Sequence, residues 1–251
     1  MIDSHCHLTD PYYEGGENII NDMPRDGLEA VVTVGYDLKT SEECVRLAET
    51  HDGVYAAVGL HPSEIKDERD VLRILPLLSR KKTVALGEIG LDYHWQDVPR
   101  DVQKRVFEAQ LEAAYAYGAP VIVHSRDCDG DMLPVLKAWK SKLGGRLVMH
   151  CFSSSAEIAK EYVRAGYYVS FAGPVTFRNA KRGDAIRAVP DELLLAETDS
   201  PYLTPVPHRG ERNMPAYVRY VIEKLAEERG SDFESIERIT PENAKSLFGI
   251  K

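Results

Sequence analysis

No stretch of this 251-residue chain approaches the ~18–20 consecutive apolar residues that a membrane span needs. Cysteine is scarce. Cys6, Cys44, Cys128 and Cys151 are scattered and too few to staple a chain this long, so we expect reduced thiols in a cytoplasmic protein. Basic residues are in deficit, 31 against 40 acidic, giving a formal charge of −9. That balance excludes a protein that coats nucleic acid or membrane by bulk charge. It leaves open an enzyme that grips a phosphate locally. The opening Met1-Ile2-Asp3-Ser4-His5 carries neither a basic segment nor an apolar core, so no secretory leader is expected. Low-complexity segments, linkers rich in glycine, serine or proline, and repeats of solenoid period are also absent, and residues 1–251 read as a single domain.

What is present is an alternation of short apolar runs with longer amphipathic segments. Strands are expected at 1–5, 30–35, 54–59, 83–88, 120–124, 146–150, 167–170 and 193–197. Most lack the polar alternation of a half-exposed strand, as strands buried on both faces of a parallel sheet do. Between them, residues 102–117 carry apolar side chains at helical period, with Asp101 placed as a cap and Gly118 and Pro120 as a stop. Helices are also expected at 41–50, 71–79, 132–143, 156–165 and 216–229, with Thr240-Pro241 starting a last short one. Eight strands alternating with helices fit an α/β fold of the (β/α)₈ TIM-barrel type; a doubly wound open sheet is the alternative, and periodicity does not separate the two.

The histidines are placed unevenly. His5, His61, His124 and His150 each fall at or just beyond the C-terminal end of an expected strand, and His7 follows His5 by two. Glu88 ends the fourth strand and Asp199 follows the eighth. Singly, each has an ordinary reading as a hydrogen-bonded core or packing residue. Jointly, seven metal-competent side chains from six strands converge if the strands form a barrel, because strand ends meet on one face. A period of two sends His5 and His7 to the same side, and the buried Glu88 requires a cation or strong donors. Imidazole mixed with carboxylate suits Zn, Mn, Ni, Co or Fe, or Mg with added waters. So many ligands exceed the needs of one tetrahedral ion and suggest two divalent ions sharing Glu88.

These residues are recognisable as a set. Asp3-Ser4-His5-Cys6-His7-Leu8, Val58-Gly59-Leu60-His61-Pro62 and Gly87-Glu88-Ile89-Gly90-Leu91-Asp92-Tyr93 resemble motifs of the TatD-type metal-dependent deoxyribonucleases, a branch of the amidohydrolase-type barrels. The resemblance continues, in order, through His124-Ser125-Arg126-Asp127, His150-Cys151-Phe152-Ser153, Glu197-Thr198-Asp199-Ser200-Pro201-Tyr202-Leu203, Arg209-Gly210-Glu211-Arg212-Asn213 and Asn243-Ala244-Lys245-Ser246-Leu247-Phe248. It implies the barrel, two metal positions and hydrolysis of DNA phosphodiesters, at 3′ ends or abasic sites. It places one metal on His5, His7, Glu88 and Asp199, and the second on Glu88, His124 and His150. His61 becomes a phosphate-contacting or proton-transferring group. His94-Trp95 departs from the family pattern, which more often has another aromatic followed by a basic residue.

For catalysis we expect Asp199 as general base, with Glu88 and His61 completing the machinery. Arg126, Arg178 and Arg209 are candidates for phosphate contacts, against a solvated-surface reading for each. Tyr202, Phe152 and Trp95 are candidates for base stacking. Trp139 reads as core, His51 and His208 as solvent-facing, and Cys6 and Cys151 as small buried hydrophobes turned away from the site. The partner expected is DNA as substrate, with no membrane and no obligate protein partner. A site face basic on the side of strands seven and eight is expected, through Arg178, Lys181, Arg182, Arg209 and Arg212. Two alternatives remain: hydrolysis of another ester such as D-aminoacyl-tRNA, and a metal-binding scaffold without turnover.

Overall fold

The computed structural model describes residues 1–95 and 97–250 and places eight parallel strands in one sheet, neighbours in strict sequence order. They are β1 (Ile2–Cys6), β2 (Ala30–Val34), β3 (Val54–Val58), β4 (Thr83–Asp92), β5 (Val121–Arg126), β6 (Leu147–Met149), β7 (Tyr168–Phe171) and β8 (Leu194–Ala196). The sheet curls until its edges meet just beyond β8, where Cys6 bridges Ser200. The Asp199 N–H donates to the His5 carbonyl at 2.9 Å, and the His7 N–H donates to the Ser200 carbonyl at 2.8 Å. The fold is a nearly closed (β/α)₈ barrel, and the open-sheet alternative is set aside.

The helices between strands are α1 (Glu17–Asp22), α2 (Leu38–Thr50), α3 (Asp70–Ile74), α4 (Arg100–Tyr117), α5 (Asp129–Leu143), α6 (Ala156–Arg164), α7 (Gly183–Ala188), α8 (Val218–Arg229) and α9 (Phe233–Phe248). Among the described residues no helix is long and apolar enough to cross a membrane. The barrel strands supply two apolar clusters from alternate residues. Val31, Val121, Val123, Leu147, Met149, Leu194 and Ala196 belong to a large cluster with helix residues such as Phe107, Leu111 and Leu225. Val32, Val34, Ala57, Ile122, Val148 and Leu195 form a second, which α9 joins through Ala244, Leu247 and Phe248. The second cluster has a consequence for chemistry. With a period of two, Ile122, Val148 and Leu195 share a strand face with His124, His150 and Glu197, so polar residues stack directly above an apolar plug.

Helices α1 and α7 were not expected, α2 and α5 each begin three residues early, and three further differences have a clear cause. Thr240-Pro241 does not begin a helix: α9 starts at Phe233, where the Asp232 carboxylate accepts the Ser235 N–H at 2.7 Å, and runs through Pro241. Proline removes one amide donor, but Pro241, Ala244, Leu247 and Phe248 are buried, each large side chain contributing about 1.5–3 kcal/mol. Packing therefore outweighs the break. Asp101 lies in the first turn of α4 and caps nothing, because the helix starts at Arg100 after Pro99. Residues 71–79 divide into α3 and a 3₁₀ turn at Pro76. In addition β4 continues four residues past Glu88, pairing Gly90 with His124. A Cβ on Gly90 would sit 2.0 Å from the His124 carbonyl oxygen, so only glycine allows that approach.

Helix α4 also buries two polar residues on its inner face, Gln103 and Gln110, where apolar side chains were expected to do the packing. They lie seven residues apart, two turns along one face. Gln110 Oε1 accepts the Leu60 N–H at 2.9 Å and Nε2 donates to the Leu60 carbonyl at 3.1 Å. Gln103 does the same for Asp92, at 2.8 and 2.9 Å, and also reaches the Val98 carbonyl at 3.0 Å. The two glutamines thus clamp the segments that carry His61 and Asp92. Gln103→Leu should strand those buried backbone groups and cost about 2–4 kcal/mol of stability. Urea denaturation checks this, and a loss below about 1 kcal/mol would show that the clamp is dispensable.

Candidate metal centre

Above the apolar plug, the strand ends surround a cavity of about 650 Å³ lined by His7, His61, Glu88, Asp92, Trp95, His124, Arg126, His150, Cys151, Asp199, Tyr202 and Leu203, among others. His5 lies at its floor and is fully buried. Three of the imidazoles, His7, His124 and His150, are aimed by a partner on the far side. His7 Nδ1 donates to the Val34 carbonyl at 2.8 Å, leaving Nε2 for the cavity. His150 Nδ1 faces Glu197 Oε1 at 3.2 Å, and that carboxylate also accepts the Cys151 N–H at 2.7 Å. His124 is turned the other way round: Nε2 faces Asp92 Oδ2 at 2.9 Å and Nδ1 points inward. Asp92 is fixed in turn by the His94 and Trp95 N–H groups and, through its own backbone, by Gln103. Such outer partners fix ring orientation at metal-binding histidines.

Two donor sets share Glu88. In the first, His5 Nε2 and His7 Nε2 are 3.3 Å apart. Glu88 Oε2 lies 3.5 and 3.9 Å from them, and Asp199 Oδ1 lies 3.6 and 3.3 Å away. Four ligands at about 2.1 Å from one ion would stand roughly 3.4 Å apart in a tetrahedron. In the second, Glu88 Oε1 is 2.6 Å from His124 Nδ1 and 2.7 Å from His150 Nε2, and the two nitrogens are 3.3 Å apart. The first set is spaced to fit a divalent cation, while in the second Glu88 stands at hydrogen-bond distance from both rings. His5 Nδ1, buried without a hydrogen-bond partner among the described residues, marks a ring placed for its other nitrogen. His61, Asp92 and His124 also stand close enough to form a third group.

His61 plays a different part. Its Nδ1 accepts from the Ser63 N–H at 3.1 Å and meets Ser63 Oγ at 2.8 Å. The ring proton is thereby assigned to Nε2, which faces Glu88 Oε1 at 3.5 Å. Burial, then repulsion from His124, pushes this imidazole down to about 3. His61 is a neutral N–H donor aimed into the cavity.

The other groups carry charge. Burial works against the ionised Glu88, yet His150, His61 and His124 around it hold its carboxyl well below the usual range. Burial also opposes ionisation of Asp199, and the bond from His7 followed by the nearby His5 and His150 outweighs it. His150 and His124 run the opposite way: burial disfavours their cations, but Glu88 and their rear carboxylates raise both.

The remaining sequence candidates separate. Arg126 and Tyr202 line the cavity, Arg126 lying 5.8 Å from the Trp95 ring and the Tyr202 hydroxyl donating to Asp10. Arg178 and Arg209 do not line it: Arg178 borders a separate recess, and the Arg209 guanidinium lies 3.9 Å over the Phe177 ring. Arg178 lies just beyond the 3₁₀ turn at 173–176 that follows β7, and Arg209 in the loop after β8. Cys151, expected to turn away, lines the cavity, because its backbone adopts φ 43° beyond β6. Cys6 is buried as expected, while Phe152 packs against Tyr162 and Phe171 instead of facing substrate. Trp139 is half-buried beneath Lys142, His51 is half-buried, and His208 stacks on Tyr217 at 4.3 Å. Asp92, Glu197 and Ser63 were not singled out as orienters. Asp92 carried a signal: it lies four residues past Glu88, on the same strand face once β4 is known to continue.

The family model for TatD-related DNase matches residues 2–249. The chain belongs to that family. Among TatD-type relatives, the uncharacterized metal-dependent hydrolase YabD of Bacillus subtilis is 43% identical, the match covering 100% of this chain and 99% of YabD. The uncharacterized metal-dependent hydrolase YcfH of Escherichia coli K12 is 38% identical over 100% of this chain and 96% of YcfH. The crystal structure of YjjV, a TatD homologue of Escherichia coli K12, superposes with TM-score 0.91 at 30% identity, covering 100% of this chain and 98% of that one. The chain is thus a TatD-family metal-dependent hydrolase with clusters able to hold a metal.

The charge pattern gives a pH dependence. Without metal, both nitrogens of His124 and of His150 face carboxylates, and the raised imidazolium range keeps protons where a cation's ligands must be bare. Metal uptake by this TatD protein should therefore release protons, and affinity should fall as pH drops below the raised histidine range. Calorimetry of Mn²⁺ or Zn²⁺ binding in buffers of different ionisation heat reads the release directly. Buffer-independent heats would show that the histidines are already neutral.

Proposed function

We propose that the protein is a deoxyribonuclease that hydrolyses phosphodiesters at 3′ ends or abasic sites, using two divalent ions, in the reducing cytoplasm that four free thiols suit. One observation carries the reading: Glu88 turns one oxygen toward His5 and His7 and the other toward His124 and His150, beside a neutral N–H donor, in a cavity whose rim holds an arginine and aromatic rings. His5, His7, Glu88 and Asp199 would hold one ion, and Glu88, His124 and His150 the other. The chemistry such ions supply when bound is acidification of water and screening of phosphate charge.

The chain's own groups do the rest. Asp199 stays ionised and faces the cavity, so it accepts the proton of the attacking water as that oxygen bonds phosphorus and the P–O bond to the leaving sugar oxygen breaks. The leaving oxygen takes its proton from solvent at the open mouth. His61 donates its Nε2 proton as a hydrogen bond to a non-bridging phosphate oxygen, where charge grows in the transition state. Arg126 contacts a flanking phosphate as a planar fork. Tyr202, 47% exposed at the mouth, offers a face on which a base can stack.

End-labelled oligonucleotides, single-stranded, nicked and abasic, incubated with several divalent metals, test the proposal against D-aminoacyl-tRNA run in parallel. DNA should be cleaved and the charged tRNA left intact; the reverse result overturns the reading. His61→Ala should lower kcat about 10²–10³-fold with metal content unchanged, whereas Glu88→Gln should lose metal and activity together.

A further inference from the structure

Beside the catalytic cavity lies a second recess of about 410 Å³, formed by the loop after β7, α7 and α8. The two share the turn Gly173–Thr176: Pro174 lines the cavity, while Val175 and, just beyond the turn, Phe177 line the recess. The recess collects positive charge on an acidic protein. Arg178, Lys181, Arg182, Arg187 and Lys224 face it, against Asp184 and Glu228. Those two acids are already engaged. Arg187 bonds Asp184 at 2.7 Å and Glu228 at 3.1 Å, and Lys224 lies 2.8 Å from Glu228, which ties α7 to α8 and fixes the floor. Arg178 and Lys181 are exposed, and neither makes an ion pair among the described residues. Arg182, half-buried, is held by the Ser154 carbonyl at 3.2 Å and likewise has no carboxylate partner.

Elsewhere the pattern differs. Exposed cations are mostly consumed by acidic neighbours, as in Arg69 with Asp67, Arg105 with Glu68 and Arg80 with Glu49. On the opposite side of the mouth, the acidic Asp131 takes Lys104 at 2.7 Å. Unpaired, clustered cations with a rigid floor next to a catalytic cavity are what a polyanion's backbone recognises, and bulk attraction cannot supply that on a chain of charge −9.

We propose that this recess is a phosphate-binding exosite that holds the nucleic-acid strand a few nucleotides from the scissile bond, with Arg178 and Lys181 as its contacting cations. The proposal rests on the nuclease reading and deepens it. A strand anchored at both places is positioned by the exosite and cut at the metal centre, so affinity depends on length. Substrates too short to reach the recess are held by the cavity alone.

The test is fluorescence anisotropy of the metal-loaded protein with phosphorothioate single strands of three and twenty nucleotides. Arg178→Glu with Lys181→Glu should weaken the 20-mer at least tenfold and the 3-mer less than twofold. The salt slope for the 20-mer should fall by about 1.4, at roughly 0.7 per lost single-strand phosphate contact. Lys81→Glu with Arg146→Glu makes the same change of net charge at the opposite end of the barrel, just before β4 and β6, and should leave 20-mer affinity within twofold. Equal losses in the two double variants, or none in the first, overturn the exosite. So does equal wild-type affinity for 3-mer and 20-mer with tripolyphosphate bound through Lys181, which would assign the recess to a free polyphosphate. If the wild type binds the 20-mer through the recess but leaves unmodified DNA uncut, the exosite stands and the nuclease reading falls. If DNA is cut and the first variant binds like wild type, the reverse holds.

Discussion

Glu88 is an ionised carboxylate 4% exposed to solvent, and a buried charge of that kind is several kcal/mol out of place unless positive charge meets it. Much of the site answers that requirement. His5, His7, His61, His124 and His150 all bring a ring nitrogen within 4 Å of its two oxygens. Three of those rings are braced from behind, by the Val34 carbonyl, Asp92 and Glu197. The braces are braced too: Asp92 by Gln103 and two loop amides, Glu197 by the Cys151 amide. In the metal-free protein protons supply the positive charge. A divalent cation held by the same residues would take the place of those protons.

Placing that cluster in the barrel solves a packing problem as well. The strands run continuous from an apolar plug, sealed by α9, to the polar site. Ile122 leads to His124, Val148 to His150 and Leu195 to Glu197 along the same strand face. The plug excludes water from below, so the donors work in a low-dielectric floor and open only toward the mouth. Rim and floor then divide the labour. The floor gathers imidazoles and carboxylates, whereas the rim carries Trp95, Tyr202 and Arg126, and the basic recess shares the turn after β7 with the cavity.

Much of this was legible in the sequence. The strand count, the placement of His5, His7, His61, His124, His150, Glu88 and Asp199 at strand ends, and the ordered motifs of the TatD family all follow from local patterns. The misreadings have a common cause. Pro241 and Asp101 were weighed by local propensity, while tertiary burial and chain entry decided their roles. Gln103 and Gln110 look like surface polar residues on a helix, because their partners, Asp92 and Leu60, are 11 and 50 residues away. Arg178 and Arg209 share a basic character with Arg126, but Arg178 lies beyond the turn after β7 and Arg209 over the ring of Phe177.

The sequence by itself determined which residue types stand at the ends of which strands, and with them the family and the class of chemistry. Those features are written in periods of two and 3.6 and in short motifs, which act along the chain. Tertiary structure decided which nitrogen of each histidine faces inward, that His61 is a donor and not a base, and which arginines reach the cavity. Most of these depend on partners far apart in the chain: Asp92 meets His124 because β4 and β5 pair, and Glu197 meets His150 across the curled sheet, while Ser63 sits beside His61 in sequence.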